Sequence, residues 1–246
     1  MFNLFKKKEP QLPTSNFKWL SQDIHSHLLP GIDDGSPDVA TSIQLLQSLS
    51  SAGIKDFICT PHIISDLYRN TPETISKALA ILKEACVANN LDVNLRAAAE
   101  YMIDDGFKAK LENGEPLLTL EKNYILTEFS YYTLPSNLNE ITFQILSNNY
   151  LPLAAHPERY HYYHNDFDAF FKLQEAGFLL QVNILSITGY YGKSVAKAAK
   201  FILKNNLAAF VGTDLHHENH LKALINPKSA ELFEEYFGDK IFNEFE

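Results

Sequence analysis

Cysteine is nearly absent from this 246-residue chain, which carries only Cys59 and Cys86. Two thiols so placed supply neither a disulfide framework nor a thiolate zinc site, and such sparing use suits a reducing cytoplasm. Positive charge is also scarce: 21 Lys and Arg stand against 30 Asp and Glu, a formal net charge of −9. A surface built to neutralise nucleic-acid phosphates needs the opposite balance, so no nucleic-acid partner is expected. Long apolar runs are missing as well. The start, Met1-Phe2-Asn3-Leu4-Phe5-Lys6-Lys7-Lys8, has no secretory core, and no 18-residue apolar stretch follows, so no transmembrane segment is expected. There is no internal repeat and no low-complexity tract.

What is present is enough apolar sequence, 46% of residues, for one sizeable core. Residues 1–16, with Pro10 and Pro13, read as a flexible N-terminal segment leading into a single domain over 17–246. Within it, seven β-rich runs near 23–27, 56–60, 93–99, 124–128, 151–155, 179–184 and 208–213 alternate with helical patterns, which predicts parallel strands joined by crossover helices. The first helix is expected to start at Ser36 as cap with Pro37 inside, carry Val39, Ile43, Leu46 and Leu49, and end at Gly53. The second is expected after Thr71 and Pro72, with Ile75, Leu79, Leu82 and Cys86 on its buried face. Further helices are expected at 105–113, 137–149, 166–176, 191–205 and 228–237. Seven such units can close into a barrel or open into a doubly wound sheet, and both put chemistry at the carboxyl ends of the strands.

Candidate ligands fall at those ends. If 23–27 is extended, His25 and His27 share a face about 6–7 Å apart, placed to grip one cation. Asp34 follows in the next loop, His62 after the second strand, Glu100 after the third, Glu128 after the fourth, His156 after the fifth, and Asp214 and His216 after the seventh. Each alone has an ordinary explanation as a cap, a surface pair or a loop residue. Together, five imidazoles and four carboxylates on one rim would repel or desolvate one another unless cations neutralised them. Nitrogen and oxygen ligands without thiolate suit Mn²⁺, Fe²⁺ or Zn²⁺.

The ordered series Asp23-Ile-His-Ser-His-Leu-Leu-Pro-Gly-Ile-Asp-Asp-Gly35, Thr60-Pro-His62, Ala99-Glu-Tyr101, Thr127-Glu-Phe-Ser130, Ala155-His-Pro-Glu-Arg-Tyr160 and Thr213-Asp-Leu-His216 resembles the polymerase and histidinol phosphatase (PHP) superfamily. Within it, the chain is similar to the bacterial manganese-dependent protein tyrosine phosphatases of capsule and exopolysaccharide clusters, over roughly residues 20–220. The resemblance implies a distorted (β/α)₇ PHP barrel with three divalent metal ions. His25, His27, Glu100 and Asp214 would hold the first; Glu100 would bridge to a second on His62 and His156; Asp34, Glu128 and His216 would hold the third. Arg159 matches the family's phosphate-binding arginine and is the expected catalytic and substrate-binding cation. A second family arginine, a few residues past Asp-x-His, is missing here, and His217, His220 and Lys222 are the candidate substitutes.

Three divalent ions against four carboxylates leave two positive charges, the balance for a phosphomonoester dianion. The implied reaction is attack of a metal-activated hydroxide on phosphotyrosine in the tail of a bacterial tyrosine kinase that regulates polysaccharide synthesis. Asp33, His217 and His220 are candidate general acids. A thiolate mechanism would need an arginine six residues after its cysteine, where this chain has Ser65 and Asp92. Tyr101, Tyr131, Tyr132, Tyr160, Tyr162 and Tyr163 lie in or after the rim loops, where rings can line a peptide cleft or simply pack. Competing readings are a small-molecule phosphomonoesterase of histidinol-phosphatase type, a nuclease module, and a non-catalytic metal-stabilised adaptor.

Overall fold

A computed structural model describes residues 17–135 and 137–245; the flexible segment expected over 1–16 lies outside them. Regular strands form two parallel sheets. One is the pair β1 (Asp56–Cys59) and β3 (Asn94–Ala97); the other has six strands in the order β2 (His62–Ile63), β4 (Glu100–Met102), β5 (Tyr124–Glu128), β6 (Leu151–Ala155), β7 (Leu179–Asn183) and β8 (Ala208–Gly212). The expected strand at 93–99 is regular over Asn94–Ala97, and a further strand, β4, begins at Glu100 beyond a step at Ala98–Ala99, just as β2 begins at His62 beyond a step at Thr60–Pro61. Pairing runs on through the step, since Ala98 N–H donates to Cys59 O and Glu100 N–H to Pro61 O.

The segment 23–27, expected as a regular strand, is extended but held by isolated bridges, Asp23 to Phe57 and Ser26 to Leu215. Side chains have taken ladder positions there. Thr213 N–H donates to Asp23 Oδ1 at 3.0 Å and Ser26 N–H to Thr60 Oγ1 at 3.2 Å. Ile58 and Thr60 nevertheless donate to Asp23 and Ser26 on one side, and Asp214 N–H and His27 N–H bond to His25 O and Leu215 O on the other. The segment thus lies between the β1 run and the chain leaving β8.

Among the described residues seven strand-crossing and terminal helices cover the sheets, with one more near the rim. α1 (Val39–Ser51) starts later than expected: Asp38, not Ser36, caps it by accepting from Thr41 N–H at 2.8 Å. Ser36 is spent closing the preceding loop, its N–H donating to His27 O and its carbonyl accepting from Gly31. That loop crosses the first strand so closely that a Cβ on Gly35 would sit 2.2 Å from His27 O. α2 (Pro72–Ala88) has the expected Thr71 cap, reciprocated by Thr74. α3 (Asp105–Glu112), α4 (Leu138–Ser147), α5 (Asp168–Glu175), α6 (Lys193–Lys204) and α8 (Pro227–Phe237) fall where helices are expected. α7 (Glu218–Leu224) was not foreseen; its cap is His217, whose Nδ1 accepts from His220 N–H.

Two apolar cores result. The larger lies between helices and strands; the smaller gathers Ile24, Ile58, Ala98, Leu126, Leu153 and Phe210 from successive strands. The chain end ties on below, with Phe242 N–H donating to Trp19 O and the Asn243 amide to Gln22 O and Val211 O. Among the described residues no helix is long and apolar enough to cross a membrane.

Candidate metal centre

The strand ends bring all nine expected ligands together, in groups whose donor atoms lie within 4.8 Å of one another. At the floor, Nε2 of His25 is 3.2 Å from Glu100 Oε2 and 3.3 Å from Asp214 Oδ1, and Nε2 of His27 is 3.4 Å from each. The two Nε2 atoms are 3.3 Å apart. Neither ring has a proton to offer there when neutral. The Gln181 amide NH₂ donates to Asn183 Oδ1, so its Oε1 must face His25 and accept the Nδ1–H at 2.8 Å. His27 likewise spends Nδ1–H on Asp33 Oδ2 at 2.8 Å. With both rings neutral, two imidazole lone pairs and two carboxylate oxygens converge on one point, an arrangement that a metal ion satisfies and that otherwise draws protons onto the imidazoles. The spacings agree: donors about 2.1 Å from a shared ion stand about 3.0–3.6 Å apart.

A second group adjoins the first through Glu100. His62 Nδ1 is 3.2 Å from Glu100 Oε2 and 3.7 Å from Glu128 Oε2; His156 Nε2 is 3.1 Å from Glu100 Oε1 and 3.6 Å from Glu128 Oε1. Glu100 Oε2 and His62 Nδ1 are buried without hydrogen-bond partners, a state costly for a bare polar atom and normal for a ligand. A third group sets Asp34 Oδ1 3.5 Å from His62 Nε2 and 3.7 Å from His216 Nε2. His216 presents that lone pair because its Nδ1–H donates to Asp214 O at 2.9 Å. The resemblance put Glu128 with Asp34 and His216; the structure turns its oxygens toward His62 and His156 instead. A neutral imidazole has one lone pair, so His62 serves one of its two neighbouring groups.

Burial and charge act against each other at these side chains. Burial alone would lower His25, but the Glu100 and Asp214 carboxylates outweigh it and raise the imidazole to about 9. Burial and then Glu100 push Glu128 up to about 8. His156 falls to about 4 through burial and the Arg159 charge. The backbone is strained as well. His156 (φ 34°) and Asp214 (φ 49°) are left-handed, a conformation that the other described non-glycine residues reach mainly at asparagines.

Arg159 follows His156 on a 3₁₀ turn, donates from Nη1 to Asp214 Oδ2 at 2.7 Å, and lies with its guanidinium carbon 5.0 and 4.4 Å from the Tyr131 and Tyr191 ring centroids. It lines a cleft of about 400 Å³ over the ligand groups, together with His217 and His220. Lys222 does not: it pairs with Glu218 at 3.1 Å on an exposed face. Asp33 is no proton donor, because His27, Gly35 N–H and His62 N–H all bond to its carboxylate. Burial opposes ionisation there, but the His27 charge and bond bring Asp33 down to about 2.

Of the six tyrosines, only Tyr131 lines the cleft. Tyr101 and Tyr160 are buried, their hydroxyls engaged by Leu118 N–H and by Phe129 N–H and Ala155 O; Tyr163 is buried too, Tyr162 partly so, and Tyr132 is exposed. Tyr68 and Met102 also line the cleft, and neither was foreseen. Also unforeseen are Gln181 and Asn183, which link His25 to Asp214, the Asn183 amide donating to Asp214 Oδ2. Their signal was present as two polar residues two apart in the otherwise apolar run Leu179–Asn183.

Parallel strands leading into overlapping groups of imidazole and carboxylate donors define an α/β protein with clusters that could hold metal ions. The family model described as "Capsular polysaccharide synthesis, CpsB/CapC" matches residues 21–245, and the chain belongs to that family. It is 30% identical over 217 residues, 87% of this chain and 85% of the other, to a "Putative tyrosine-protein phosphatase CapC" of Staphylococcus aureus. It is 28% identical over 195 residues (79% and 77%) to "Tyrosine-protein phosphatase YwqE" of Bacillus subtilis, and 27% over 202 residues (79% and 82%) to "Tyrosine-protein phosphatase CpsB" of Streptococcus pneumoniae. A solved structure from a study of those last two proteins, there called unique metal-dependent tyrosine phosphatases, matches with a TM-score of 0.78 at 28% identity, covering 88% of this chain and 87% of that one. The family reading drawn from the motif series is borne out.

Proposed function

We propose that the protein is a divalent-metal-dependent protein tyrosine phosphatase. Its domain would span 17–246 as a distorted (β/α)₇ PHP barrel, and it would act in the cytoplasm on the phosphotyrosyl tail of a tyrosine kinase of capsule or exopolysaccharide synthesis. The observation that carries this is the convergence of His25, His27, Glu100 and Asp214 at the floor of a cleft walled by Arg159. The inner core, with residues from successive strands, and the bridges that seat 23–27 beside both β1 and the β8 exit support the barrel. Cys59 and Cys86, free and buried, suit the cytoplasm.

We assign three ions, most simply Mn²⁺. The first would be held by His25, His27, Glu100 and Asp214; the second by Glu100, Glu128 and His156; the third by Asp34 and His216; His62 would complete either the second through Nδ1 or the third through Nε2. The ions supply an activated water and neutralise phosphoryl charge. The protein's own groups do the rest. Arg159, its plane held between two rings, donates to phosphoryl oxygens in a fixed orientation. His217 accepts from His220 N–H at Nδ1, so its neutral ring carries the proton on Nε2 and gives the cleft a second donor where the family arginine is missing. A phenolate leaving group, of pKa about 10, makes modest demands on a general acid.

The test is turnover of a phosphotyrosyl peptide and of histidinol phosphate with Mn²⁺, before and after chelation, alongside metal analysis. The peptide should be preferred, chelation should abolish turnover, and Glu100→Ala or His156→Ala should cost at least about a hundredfold. Faster histidinol phosphate turnover would shift the assignment to a small-molecule phosphatase; full metal loading without turnover would leave an adaptor.

A further inference from the structure

The metal cleft is bounded on one side by Met102 and Tyr131, at the ends of β4 and just past β5. A second hollow of about 490 Å³ begins on the far side of that wall, and Met102 lines both. The two strand ends are tied there, Ile103 N–H donating to Glu128 O at 2.9 Å, so the hollow opens directly beside the ligand groups. Its apolar lining comes from Met102, Ile103, Leu134, Pro135 and Ile141. Its charges are already engaged: both Asp104 oxygens accept from backbone, Phe107 N–H at 2.8 Å and Ser65 N–H at 2.9 Å, and Lys108 sits 3.5 Å from exposed Asp105. Leu134, 39% exposed, extends the apolar surface outward.

Resting on the phosphatase reading above, we infer that this hollow is a specificity subsite for an apolar side chain one to three residues from the phosphotyrosine of the same peptide. A chain whose phosphotyrosine occupies the cleft must run out across its edge. The Met102 wall is an edge with a cavity behind it, and methionine there can re-pack around different side chains. No free charge in the hollow calls for an ionic partner, while its floor rewards burial of leucine, isoleucine or valine.

The test compares two phosphotyrosyl peptides of equal charge, one with leucine and one with serine flanking the phosphotyrosine, against para-nitrophenyl phosphate, which is too small to leave the cleft. The intact protein should favour the leucine peptide about tenfold in kcat/KM. Leu134→Asp, on an exposed loop, and Thr133→Trp, which fills the hollow, should each erase that preference and leave para-nitrophenyl phosphate turnover unchanged. Equal kcat/KM for the two peptides, or a preference that survives both substitutions, overturns the subsite. Failure to hydrolyse para-nitrophenyl phosphate with Mn²⁺ would strike instead at the phosphatase reading.

Discussion

His25 shows how much one side chain depends on partners far away in the chain. Its Nδ1–H is fixed by Gln181, 156 positions on, and its other nitrogen is thereby left to face two carboxylates. Without a cation those carboxylates keep it protonated to about pH 9. Metal loading at pH 8 should therefore release protons, since an ion needs the neutral imidazole, and the release should vanish above about pH 10; titration calorimetry in buffers of different ionisation enthalpy measures it. The cysteines make the opposite case. Cys59 is pushed up to about 12, by burial first and then by Asp23, too high for a nucleophile. The double variant Cys59→Ser, Cys86→Ser should keep its turnover per folded molecule, and a loss would reverse the assignment of a metal mechanism. The candidate ligands were legible in the sequence because most of them fall at or just past the end of a β-rich run. Glu158 was not. It is wholly buried and accepts from Asn183 N–H and Ser186 Oγ–H, anchoring the turn that aims Arg159, yet no spacing distinguishes it from a surface glutamate.

At the scale of elements, periodicity located most helices but misplaced the start of α1. Ser36-Pro37 is a good helix start by residue type, but tertiary contacts had already claimed Ser36 for the loop under His27. The two possibilities separate experimentally. Asp38→Ala should lower the melting temperature by about 2–4 °C, as expected for a lost cap in a domain of this size, while Ser36→Ala removes no cap. α7 escaped because histidine is not a customary cap, and its cap bond exists only once Asp214 and His216 have set the turn before it. The short strands β2 and β4 were illegible for a related reason: each begins on a polar residue, His62 or Glu100, and is extended where the two pair with each other.

For the whole molecule, the smaller core lies directly beneath the candidate ligands on the same parallel run of chain, with Ile24 next to His25 and Ala155 next to His156, so packing and chemistry are stacked against each other. Metal should nevertheless stabilise the fold, because each ion relieves buried carboxylates that otherwise repel. Mn²⁺ at a hundred times its dissociation constant should add about 2.7 kcal/mol per independent site, seen as a melting temperature that rises with metal and falls on chelation. The segment bearing His25 and His27 is clasped on one side by the β1 run, on the other by Asp214 and Leu215, and from below by Phe242 and Asn243. During translation the N-terminal partner of these contacts emerges first and must wait for residues synthesised some 200 positions later. The clasp on the histidine segment can therefore close only after Asp214, Leu215 and Asn243 have been made, so the ligand groups assemble late in synthesis and not with the first strands.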